Sequence, residues 1–147
     1  MSLLMSVSFK PTTFNTNMYT VQTSSLFYFK CLVSSFEKIG CKNFMSVVLS
    51  NDDRKIIFDI ESIIQSKFDN YETCLMNNTM HGIKIPTQYN IIQIPFKTVD
   101  GQPVLVEHIV DGLEIVITLS PTKVICKQNS TICTWLCKEL IANIKYT

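Results

Sequence analysis

The sequence predicts an α+β domain, its strands packed against amphipathic helices on one face. Two segments repeat apolar residues at helical spacing, β-branched runs fill the stretches between them, and Asp111-Gly112 separates two such runs as a hairpin turn does. The size suits one domain: 147 residues, 46% hydrophobic and 17% charged, supply a single core.

Residues 1–17 are rich in Ser, Thr and Asn, carry Pro11, and read as a flexible N-terminal arm. Residues 18–22 follow as a short strand. Thr23, Ser24 and Ser25 offer capping hydroxyls, and Leu26, Phe29, Val33 and Phe36 recur at helical spacing before Gly40, so a helix is expected over 24–39 with Gly40 as its stop. A strand is expected at 44–50 and a polar turn at Asn51–Arg54. The β-branched run and aromatics of 55–75 favour two strands, with a helix through Glu61–Gln65 as the alternative. Beyond a loop at 76–82 come a strand at 82–85, a short helix within 88–92, and the hairpin 102–110/113–120. A strand at 122–128 and a helix at 130–146, capped by Ser130, complete the chain. The two ends echo each other: Gln22 falls on Gln128, Ser24 on Ser130, Leu26 on Ile132 and Phe29 on Trp135. The expected organisation is therefore an arm (1–17), a domain (18–121) and a strand-helix unit (122–147) that opens a second, truncated repeat.

A net charge of +1 conceals segregation. Residues 1–47 hold four lysines against Glu37 and residues 121–147 hold four against Glu139, whereas 48–120 hold five basic and ten acidic residues. On the expected helices Lys30 and Lys38, and again Lys138 and Lys145, fall near one face, with Lys42 and Lys127 close by. Lysine rows suit a phosphate backbone, because affinity through counterion release needs no fixed register.

Signals for other chemistry are few. The apolar start MSLLMSVSF is too short to span a membrane and has neither a basic n-region nor a cleavage site, which points to the cytosol or nucleus. Six cysteines form no disulfide framework and no zinc spacing, and are expected as free thiols packed like small hydrophobes. The two histidines, His81 and His108, stand apart from any partner spacing for a dyad. Four unclustered glycines exclude a P-loop or Rossmann phosphate site. Neither catalytic residues, a metal site nor a cofactor is predicted.

The order of elements over about 18–120 resembles the first domain of DNA sliding clamps, the relatives of proliferating-cell nuclear antigen, and in particular subunits of the DNA-damage checkpoint clamp. Phe68 and Tyr71 match an F-x-x-Y segment, and Gly82, Ile83 and Ile85 match a G-I-x-[IL] strand. The resemblance implies a nuclear, non-enzymatic subunit of a DNA-encircling ring. It would assemble with other clamp subunits, serve checkpoint and repair partners as a scaffold, and contact the DNA backbone without sequence preference. Lys30 and Lys38 would lie on one inner helix and Lys138 and Lys145 on the next. That reading requires helices 24–39 and 130–146 on one face of a continuous sheet, and is incompatible with a helix at 56–66.

Two alternatives stand beside it. Residues 43–64 and 82–92 also resemble the small single-stranded-DNA-binding transcriptional coactivators, homodimers that bind through basic and aromatic side chains on a curved sheet. The acidic centre of the chain ranks this second. The other alternative is a protein-interaction module without nucleic acid.

Overall fold

Strands occupy both segments where lysine-bearing helices are expected. A computed structural model describes residues 7–12, 17–23, 26–88 and 91–144. The chain opens with β1 (Val7–Pro11) and β2 (Met18–Thr23), paired antiparallel, so part of the expected arm is a strand. Then come β3 (Phe27–Ile39), β4 (Lys42–Val48) and helix α1 (Asn51–Lys67). Short strands follow as β5 (Leu75–Met76), β6 (Thr79–Ile85), β7 (Thr87–Gln88), β8 (Ile91–Ile92) and β9 (Phe96–Thr98). A 3₁₀ turn at Val106–His108 leads to β10 (Glu114–Cys126) and β11 (Thr131–Ala142).

Five of these strands close a barrel. β3 pairs β4, β4 pairs β6, β6 pairs β11, β11 pairs β10, and β10 returns to β3. Counted along the chain, the barrel strands run 1-2-3-5-4 round the wall with one parallel pair, β6 with β11, the Greek-key order of OB-type barrels. Here the helix joins the second and third barrel strands. The protein is thus a mixed α+β domain with a barrel core, extra strands and, among the described residues, a single long helix.

Alternation builds the wall. Phe27, Phe29, Cys31 and Val33 of β3 are buried, whereas Tyr28, Lys30 and Leu32 are exposed. Bulges explain why β3 and β11 imitate helices in sequence. The register shift between Val33 and Ser35 makes Phe29, Val33 and Phe36 inward-facing at i, i+4 and i+7. In β11 the shift opposite Thr118/Leu119 places inward Cys137 and Leu140 three apart, with exposed Lys138 between them. Gly40 ends no helix: at φ +65° it takes the first central position of the two-residue β3–β4 turn, between the paired Ile39 and Lys42.

Helix α1 replaces the two strands favoured for 55–75. Ser50 caps it, its hydroxyl accepting from the Asp53 N–H at 3.2 Å, and Asp52 and Asp53 oppose the positive end of the helix dipole. Ile57, Ile60 and Ile64 form the buried stripe, which overrides the β propensity of the isoleucines. The helix leaves β4 and returns to β6 at the barrel end remote from the β3–β4 turn.

Three further expectations are corrected. Residues 88–92 contribute the paired strands β7 and β8 in place of a short helix, with 89–90 outside the described residues. Residues 102–110 form no hairpin arm; β10 pairs β3 and β11, and the Asp111-Gly112 turn serves that docking, with the Gly112 N–H bound to the Val33 carbonyl at 2.7 Å. Finally, 113–120 and 122–128 join in one strand, so the expected boundary at 121/122 falls inside β10. Pro121 is tolerated there, between the stretch of β10 that pairs β3 and the stretch that pairs β2, beside a bulge in the β11 ladder.

The core fills the barrel and the space beneath α1. Trp135, Phe29, Met45, Ile83, Ile115, Ile117 and Leu119 are among its fully buried side chains, with Phe27 edge-on to Trp135 at 6.2 Å. The Trp135 indole N–H has no acceptor among the described residues.

Candidate nucleic-acid interface

The outer wall formed by β3, β4 and β6 carries the candidate surface. Met45 and Val47 face the core, so Lys42, Phe44, Ser46 and Val48 face outward from β4. Phe44 pairs with Glu37 on one side and Lys84 on the other, and Ser46 pairs with Ser35. Between Met45 and Val47 the β4–β6 register shifts. This bulge lets His81 meet Ser46, with Oγ and Nδ1 3.2 Å apart, while Gly82 takes φ +75°.

These side chains surround a cavity of about 400 Å³ lined by Glu37, Ile39, Phe44, Ser46 and His81. A second hollow, of about 370 Å³, adjoins the β3–β4 turn and is lined by Lys42, Lys84, Thr87, Gln88 and Gln93. The buried Asn43 amide donates to the Thr87 hydroxyl and fixes the segment after β6 against β4. Aromatic rings, ammonium groups and amides therefore line one strip of the barrel wall.

The lysines expected from the sequence lie on strands and turns. Lys38 and Lys42 flank the β3–β4 turn, and both are exposed. Lys127 lies in the β10–β11 turn, where its N–H binds the Ser130 carbonyl at 2.7 Å. Lys138 is exposed at the β11 bulge. Lys30, outward on β3, forms a 3.1 Å ion pair with Glu114. Lys145 lies outside the described residues. Sequence reasoning missed Lys84, Phe44 and Glu37, because their pairing across the sheet depends on register; the alternation of β4 was the one available signal.

The acidic centre also separates once folded. Asp52, Asp53, Asp59 and Glu61 belong to α1; Asp69 and Glu72 follow it; Asp100, Glu107 and Asp111 lie between β9 and β10. Of the ten, Glu114 alone stands on a barrel strand. Glu61 is 3% exposed and fully engaged, accepting from the Tyr71 and Thr73 hydroxyls and, at 3.0 Å, from the Cys74 N–H. Burial, and then the Glu61 carboxylate, push the Tyr71 phenol and Cys74 thiol upward. This node ties α1 to the segment entering β5 and is structural.

Fold and surface together define a five-stranded Greek-key barrel with an open basic and aromatic face. No protein-family model matches the chain, and no curated protein or solved structure matches it.

Proposed function

We propose that the protein is a non-enzymatic binder of single-stranded nucleic acid, held along the β3–β4–β6 face. The observation that carries this reading is the row Glu37–Phe44–Lys84 across three barrel strands, with Lys42 at one end and His81 beside it. Lys42 and Lys84 neutralise phosphates and release counterions. Phe44 and the His81 ring offer faces on which bases stack, which tolerates any sequence. Glu37, an anion within a basic strip, accepts from exocyclic amines of bases. The barrel strands fix the backbone positions of these side chains, and barrels of this strand order use the same kind of wall for oligonucleotides, an analogy at the level of fold.

The acidic centre ranked this reading second on sequence, yet nine of those ten carboxylates lie off the barrel strands. The sliding-clamp expectation routes DNA contact through lysines on two helices, and both segments are strands here. Of their lysines, Lys38 flanks the β3–β4 turn beside the strip and adds a backbone contact there.

Fluorescence anisotropy with labelled oligo(dT), oligo(rU) and a duplex of equal length tests the proposal. Single strands should bind at low salt with a slope of about −0.7 per phosphate contacted, and Lys42→Glu with Lys84→Glu should weaken binding about tenfold or more and flatten the slope. Phe44→Ala should cost about 1–3 kcal/mol of binding. An unbound wild-type protein at low salt, or affinity indifferent to these changes, overturns the reading. Stronger binding to duplex than to single strands overturns it as well.

A further inference from the structure

A second outward surface lies on the lower half of β3, separated from the basic strip by the bulge at Ser34. Tyr28, Lys30 and Leu32 project from it, and Tyr28 is 68% exposed, the most exposed aromatic among the described residues. Leu32 lies between Val48 on β4 and Glu114 on β10, and Lys30 lies opposite Val116. Leu32, Val48 and Val116 are each about two-fifths exposed, so an apolar patch crosses three strands. Within it a hollow of about 360 Å³ is bounded by Lys30, Leu32, Val48, Leu49, Ser50 and Glu114.

We propose that this patch is the two-fold interface of a homodimer, its occupant a second copy of the same chain. An isologous contact requires each protrusion to meet a hollow on the same surface. Tyr28 is the protrusion, and the hollow beside Leu32 begins four residues along the same strand, roughly 13 Å away at a strand's rise. An axis in the interface plane, crossing β3 at Lys30, lays the two β3 strands antiparallel. Tyr28 of each copy then enters the Leu32–Val48 hollow of the other. Its ring covers apolar surface, and its hydroxyl reaches toward Ser50 at the rim. The charges obey the same symmetry. Each Lys30 stands between its own Glu114, at 3.1 Å, and Glu114 of the second copy, so two cations and two anions alternate. A polyanion would meet Glu114 here, whereas a second copy presents both signs in the complementary places.

The inference is independent of the nucleic-acid reading and is tested without nucleic acid. Sedimentation velocity of the full chain over a wide concentration range should show a monomer–dimer equilibrium. Tyr28→Ser and, separately, Val48→Arg should each raise the dimer dissociation constant about tenfold or more, as truncation of a buried interface tyrosine does. Both side chains face solvent, and circular dichroism checks that each variant is folded; should Val48→Arg misfold, Tyr28→Ser alone decides. Lys42→Glu with Lys84→Glu should leave the equilibrium unchanged. A wild-type monomer at every concentration, a dimer indifferent to Tyr28→Ser, or an open-ended polymer each overturns the proposal.

Discussion

Single side chains set both the polar interior and the chemistry of the surface. Glu61 is a buried carboxylate with three donors, and its loss leaves the Tyr71 and Thr73 hydroxyls and the Cys74 N–H without an acceptor. Glu61→Ala should therefore lower unfolding free energy by on the order of 3 kcal/mol, read from urea titration, with no effect on oligonucleotide binding. At the opposite end Glu37 sits in the proposed binding strip, and Glu37→Gln should raise affinity for oligo(dT) severalfold at low salt by removing its repulsion of phosphates. The thiols divide by burial. Cys31 and Cys137 are buried, and desolvation pushes both up to about 12, as it does Cys133, whereas Cys41 is exposed on the β3–β4 turn. Native protein treated with an aromatic disulfide near neutral pH should give a fast thiol phase that Cys41→Ser removes.

Elements were legible from sequence where one periodicity stood alone. β2, β4 and β6 overlap the strands expected at 18–22, 44–50 and 82–85, since their alternation is unbroken or their apolar runs are short. The two long barrel strands, β3 and β11, were misread for a specific reason. Each carries a bulge that adds one residue between inward-facing positions, and a period of two interrupted by a three passes for a helical repeat. Apolar outward residues such as Tyr28 and Leu32 further hide the alternation. The candidate site suffers with them, because Lys30, Lys38 and Lys138, expected on helix faces, belong to strands, and Lys84 lies in a segment whose net charge is acidic. Two residues now serve the roles the structure gives them. Gly40→Ala should destabilise by about 1 kcal/mol, since φ +65° in the β3–β4 turn strains any side chain even though a Cβ there would meet open space. Ser50→Ala should cost about 1 kcal/mol by uncapping α1. Thermal or urea unfolding measures both.

For the whole molecule, closure of the barrel joins the two ends of the chain: β3 near the start and β11 near the end are both neighbours of β10, and the helix packs at the end remote from the β3–β4 turn. Buried thiols make the assembly sensitive to alkali. An unfolded thiol ionises near its ordinary 9.0, whereas folded Cys31, Cys133 and Cys137 hold their protons to about 12. Above the unfolded value the unfolded state has released protons that the native state keeps, so stability is full below about pH 9 and declines towards pH 12, to be followed by urea titration at successive pH values. From composition and local pattern the sequence by itself determined the mixed α+β class, the strands at 18–22, 44–50 and 82–85, and a charge distribution in which net neutrality conceals separate basic and acidic segments. Only the tertiary structure decided that the basic segments are strands and turns, that the acidic centre is a helix with its loops, and that Phe44, Lys84 and Glu37 share one row. The physical reason is that local periodicity reports which residues turn inward but not which strand lies alongside. Bulge, register and barrel closure depend on hydrogen bonds between residues far apart in the chain, and those pairings place the side chains on a common face.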